Sequence, residues 1–184
     1  MSVEIPGYIV GTWAIDPVHS EVSFVVRHMM VSKVRGRFDT FEGTIVTAED
    51  PLASTVTASV ELGSINTGQE QRDAHIRSGD FFDVEKYPTM TFTSTAVKAA
   101  EEGFVLEGDL TLKGVTKTVA FNLEVSGIGP DAYGGTRIGF SAETKINRLD
   151  FGVSFNGPIP GVPGGVAVSE SVTINLEIEG VLQA

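Results

Sequence analysis

The sequence predicts an all-β fold, an eight-stranded antiparallel up-and-down barrel with one short helix in a long loop, built by a single domain over residues 1–184. Apolar and polar residues alternate with period two in eight segments, the pattern of strands that bury one face. Short turns bearing Gly or polar residues join most of them, so sequential neighbours run antiparallel. Closing such a run into a barrel removes its exposed edges. A chain of 184 residues without a compositional boundary suits one domain.

The first segment sets Val22, Phe24, Val26 and His28 against Glu21, Ser23, Val25 and Arg27. In the second, Val34, Gly36 and Phe38 share one phase while Phe41, Gly43 and Ile45 share the other, which predicts a β-bulge at Asp39 and Thr40. Val56, Ala58, Val60 and Leu62 make the third inward face, and Met90, Phe92, Ser94 and Ala96 the fourth. The fifth and sixth run from Phe104 to Leu112 and from Val119 to Val125, the seventh and eighth from Ile138 to Ile146 and from Val172 to Ile178. Turns fall at residues 29–33, 98–103, 113–117 and 127–135. Two connections are long. Residues 63–88 contain a helix over 69–78, capped by Asn66 or Thr67, and residues 147–167 are Gly/Pro-rich and aperiodic. Ile76, Phe81 and Phe82 give the first connection an apolar side that packs on the barrel, with Arg72 and Asp73 anchored to the barrel or to the second connection.

Composition excludes several functions. A net charge of −11 and a pI near 4.6 repel a phosphate backbone, so nucleic acid is not an expected partner. The same acidity opposes a permanent electrostatic seat on anionic lipid. No stretch reaches the roughly 18 apolar residues of a membrane span, so stable membrane insertion is not expected either. The chain has no cysteine, which removes disulfides and thiolate metal sites. Residues 1–10 include Glu4 and Pro6 and lack the basic and apolar regions of a secretory signal, so a cytoplasmic location is expected.

An inward face rich in Phe, Val, Ile and Leu either fills a core or lines a cavity. The two long connections, which supply material to cover a mouth, favour the cavity. The candidate ligand-contacting residues are Phe24, Val26, His28 and Phe38 on the first two strands, and Ile76 and Phe81 on the helical connection. Phe92, Leu106, Phe121, Phe140 and Ile174 join them from the later strands, with Arg148 and Phe151 at the start of the second connection. Arg148, close to Asp150, either ties its loop down or meets a polar head bidentately. His19, His28 and His75 match no metal-ligand spacing, and Asp73 and His75, two apart on a helix, point away from each other. The sequence holds no serine elbow, dinucleotide glycine loop or phosphate loop. Neither catalytic residues nor a metal or cofactor is therefore expected, and the reading is of a carrier for a long apolar ligand. Two others stay open. One is an enzyme acting on a small amphiphile with His28, His75 and Arg148 around the mouth; the other is a solid-core barrel acting through its surface.

The chain also resembles the YceI family, polyisoprenoid-binding proteins of lipocalin-like shape, over residues 12–182. The resemblance rests on Trp13 to Ser20 leading into Phe24 and His28, and on Gly36-Arg37-Phe38 with Phe41-Glu42-Gly43. It continues through Ser64 to Thr67, Arg72 to Ile76 with Asp80 to Asp83, Tyr87 to Phe92, and Gly108 to Lys117. It implies an extended barrel whose apolar pocket takes a long isoprenoid or other amphiphile, often as a homodimer, and it supplies no catalytic set.

Overall fold

In the computed structural model, which describes residues 4–157 and 167–184, a single sheet closes on itself. Its strands are β1 (Gly11–Ile15), β2 (Glu21–His28), β3 (Ser32–Phe38), β4 (Phe41–Thr47), β5 (Thr55–Glu61), β6 (Ile65–Asn66), β7 (Thr89–Ala99), β8 (Phe104–Leu112), β9 (Val115–Pro130), β10 (Thr136–Asn147) and β11 (Ser171–Leu182). All pairings are antiparallel, and β1 closes the barrel by pairing with both β4 and β11. β2 continues the line of β1 along β11, β3 with β4 makes one interrupted strand, and β5 with β6 another. The wall is thus the eight-stranded up-and-down barrel that the alternation predicts.

The phase slip at Asp39 and Thr40 is present, since Phe38 and Phe41 are both buried, but it is not a bulge in a continuous ladder. Three neighbouring strand lines break at one level: residues 16–20, residues 39–40, and the 3₁₀ turn Leu62–Ser64. Side chain and backbone of Ser64 take up the freed amides. Asp39 donates to the Ser64 carbonyl at 3.2 Å and Thr40 to Ser64 Oγ at 3.0 Å. Two genuine register shifts lie elsewhere. One, between Ser94 and Ala96, turns Val97 rather than Ala96 to the Leu106 side. The other lies beside Gly139, where β9 runs on to Pro130, well past the predicted end of its strand.

One end of the barrel is closed by Trp13, Ile45 and Ile138. Trp13 is fully buried, and its indole N–H donates to Thr47 Oγ1 at 2.9 Å, so the polar edge of the plug is satisfied. At the opposite end lies helix α1 (Glu70–Arg77). Gln69 caps it through a side-chain acceptor for the Arg72 amide, in place of the predicted Asn66 or Thr67. Thr67 instead gives its amide and hydroxyl to the buried carboxylate of Asp73, while Arg72 Nη2 donates to the Thr67 carbonyl at 2.7 Å. Among the described residues, Arg72 and Asp73 therefore fold the connection onto its own first residues and not onto the second connection. The connection packs against the barrel as expected: Phe81 is buried, and the Phe82 ring lies 6.1 Å from that of Phe38.

Candidate ligand-binding cavity

Between α1 and the barrel lies a cavity of about 570 Å³. That is within the range of pockets that enclose a small molecule. Alternation on the β2–β3 hairpin sends Phe24, Val26, Val34 and Phe38 inward to form one wall. Gly36 makes this wall possible, because a Cβ there would collide with the ring of Phe24, which lies across it. Val172 and Ile174 of β11, which pairs with β2, extend that wall, and Ile76, Phe81 and Phe82 form the cover. His75 stands edge-on to Phe81 and Phe155, with ring centroids 5.1 and 4.9 Å away.

A second, smaller chamber of about 130 Å³ lies deeper in the barrel. Phe92, Leu106, Phe121 and Phe140 line this chamber and not the larger one. Phe92 and Phe121 meet in a T-shaped pair at 5.5 Å. Val22, Met90 and Ile174 border both spaces. Met90, unbranched and flexible, is the adaptable element of that shared wall.

The structure thus brings Phe24, Val26, His28, Phe38, Ile76, Phe81, Arg148 and Ile174 to the main cavity. Phe151 lines neither space; at 2% exposure it is packed into the core. Residues that the sequence reading missed include Phe155, Val153, Met90, Leu112 and the rim residues Gln69 and Gln71. Phe155 and Val153 fall in the aperiodic second connection, where no alternation marks a face. Part of that connection, residues 158–166, lies outside the described residues, and with it most of the expected flap.

Polar groups are few and largely committed. The buried Arg148 guanidinium donates through Nη1 to the carbonyls of Val153 and Phe155 at 2.6 and 2.9 Å, and through Nε to that of Ser169 at 2.9 Å. Burial pushes its pKa down, opposed by the charge of Glu170. Among the described residues no carboxylate pairs with it, Asp150 included. His75 Nε2 meets Asp80 at 2.9 Å on the exposed rim, and among the described residues no hydroxyl is bonded to that ring. His19 is at the break between β1 and β2, beside Asp16 and Glu179, at the opposite end of β2 from His28. Asp16, His19 and Glu179 are close enough to share an ion, yet Arg137 Nη1 already serves the two carboxylates, 2.7 Å from Asp16 and 3.6 Å from Glu179. The arrangement can shelter an apolar chain from water; among the described residues it presents no linked nucleophile and base.

Comparison with known proteins agrees with this geometry. A family model described as a YceI-like domain matches residues 13–180. Protein YceI of Escherichia coli O17:K52:H18 is 39% identical over 167 residues, which are 90% of this chain and 83% of the relative. The crystal structure of BcnA from Burkholderia cenocepacia superposes with a TM-score of 0.77 at 23% identity, over 90% of this chain and 98% of that one. A structure described as a polyisoprenoid binding domain from Saccharophagus degradans gives 0.69 at 19% identity, over 95% and 100% of the two chains. At such identities these two likenesses speak for the fold.

Proposed function

Because the chain belongs to the YceI family, we propose that it is a binding protein that holds a long apolar ligand in the barrel and does not transform it. The observation that carries this reading is a cavity of about 570 Å³ walled by apolar side chains, with its charged groups at the rim or consumed by backbone carbonyls. Each methylene moved from water into such walls contributes about 0.8 kcal/mol, so affinity comes from the tail and little from the head. A polyisoprenoid, an isoprenoid quinone or a fatty amphiphile has the required shape. The relative described as a polyisoprenoid binding domain supports the first of these. The contacts are assigned to Phe24, Val26, Phe38, Ile76, Phe81 and Ile174 in the main cavity, with the inner chamber receiving the tail end past Met90.

Trp13, the only tryptophan, sits in the plug, so its emission can report the binding of an added polyene fatty acid. Saturable transfer from Trp13 to that probe is expected. Ile174→Arg should weaken it at least about a hundredfold, near 2.8 kcal/mol, because the charge enters an apolar lumen without a partner. Circular dichroism establishes that the variant is folded. Gly36→Ala, which forces Phe24 off its seat, is a second and gentler variant and should also reduce uptake. Undiminished transfer in both folded variants would reject the cavity as the binding site.

A further inference from the structure

The β2–β3 hairpin departs from the rest of the molecule in charge. Between Glu21 and Asp39 the chain carries Arg27, Lys33, Arg35 and Arg37 and no acid, although the protein has a net charge of −11 and only 13 Lys and Arg. Register places Arg27 opposite Lys33, Val25 opposite Arg35 and Ser23 opposite Arg37. Since Phe24 and Val26 face the cavity, these basic residues alternate onto the outer face, with Arg27 at its edge on the cavity rim. Arg37 pairs with Asp39 at 2.9 Å, whereas among the described residues Arg27, Lys33 and Arg35 have no acid within 4.0 Å. Like charges placed directly opposite on a ladder are destabilising.

The tip of the hairpin is costly in two further ways. The Val31 amide donates to the His28 carbonyl at 3.0 Å, and the residues between them, Met29 and Met30, have φ of 53° and 60°. This is the backbone of a type I′ turn, for which Asn-Gly is the favoured pair. A side chain such as methionine is disfavoured there by about 1–2 kcal/mol per residue. The tip is also apolar and open to water: Met30 is 58% and Val31 83% exposed. Opposed bases, strained methionines and unburied apolar side chains coincide in one hairpin. Local rules are broken together where a function uses the break.

We propose that this hairpin is a docking surface for an anionic lipid bilayer, with Met29, Met30 and Val31 entering the headgroup boundary and Arg27, Lys33 and Arg35 lying against lipid phosphates. Both features are relieved at once, because the apolar tip leaves water and the opposed bases gain counter-charges. The overall acidity keeps the attachment reversible and sensitive to salt. The surface stands on the hairpin alone, but its use rests on the cavity reading above. His28 and Arg27 belong to the cavity rim, and the Met29 amide is bonded at 2.9 Å to Ala167, which also lines the cavity. A docked hairpin therefore holds the mouth against the bilayer, where an apolar ligand enters or leaves without crossing water.

The full chain is mixed with vesicles of phosphatidylcholine alone, or of phosphatidylcholine and phosphatidylglycerol in equal parts, and sedimented at low and high salt. Partitioning to the anionic vesicles only, lost at high salt, is expected. At about 1 kcal/mol per basic residue, each of Arg27→Gln, Lys33→Gln and Arg35→Gln should weaken it about fivefold, and the three together about a hundredfold. Met29→Asn with Met30→Gly suits the turn better, so it should hold or raise the melting temperature while reducing vesicle binding; misfolding cannot then explain the loss. Wild-type protein that ignores anionic vesicles, or a turn variant that binds them like the wild type, would overturn the proposal. Polyene uptake in solution should be unaltered in Lys33→Gln, Arg35→Gln and the turn variant, none of which lines the cavity, and its loss there would place the hairpin in the cavity's function instead of the bilayer's.

Discussion

The guanidinium of Arg148 meets backbone carbonyls of Val153, Phe155, Ser169 and, at 3.4 Å, Val168, with its residue only 4% exposed. Of its five donors, four are thus used on main-chain oxygens of two segments that border the cavity. Sequence reading left two roles for it, loop anchor or ligand clamp, and the geometry assigns it to the first. Arg148→Leu should leave those carbonyls short of donors and destabilise the fold by about 3 kcal/mol in chemical denaturation. Arg148→Lys should recover only part of this, because an ammonium has three donors and no planar fork. A leucine variant of unchanged stability but reduced ligand affinity would restore the clamp.

At the scale of elements, the closed end is tied by a charge network around Arg137 of β10. Its Nη1 reaches Asp16 in the break between β1 and β2 at 2.7 Å, and its Nε reaches Asp131 in the turn after β9 at 2.8 Å. The Arg137 hydrogen bond, aided by His19, holds the Asp16 carboxyl well below the usual carboxylate range, and its hydrogen bond to Asp131 lowers that carboxyl too. A carboxylate whose folded pKa is depressed adds stability above its unfolded value, near 4, and loses it as pH falls further. Arg137→Gln should therefore lower the denaturation midpoint at neutral pH, and the gap from wild type should shrink steadily on acidification below about pH 4. A gap independent of pH would reduce Arg137 to a packing role.

For the whole molecule, alternation alone identified the eight walls, because a period-two pattern records which face each residue takes. It does not record level along the barrel axis. Phe24 and Phe121 read alike in sequence, yet one borders the main cavity and the other the inner chamber. Their levels depend on ladder register, which changes from Ala14 opposite Thr44 to Val22 opposite Phe38 across the shared break. The slip after Ser94 was silent for a related reason: Thr93, Thr95 and Ala96 are small enough to sit on either face. Phe155, which completes the aromatic group around His75, lies in a stretch with no period at all.

Binding of an apolar ligand inside the barrel is tested most directly by native mass spectrometry of the freshly purified chain, before and after organic extraction. The expected result is a mass above that of the polypeptide, removed by extraction and restored by adding a long-chain isoprenoid alcohol or fatty acid, with Ile174→Arg unable to retain or regain it. A bare polypeptide mass in the fresh protein, combined with no uptake of either added chain, would contradict a ligand-filled cavity and leave a barrel that acts through its surface.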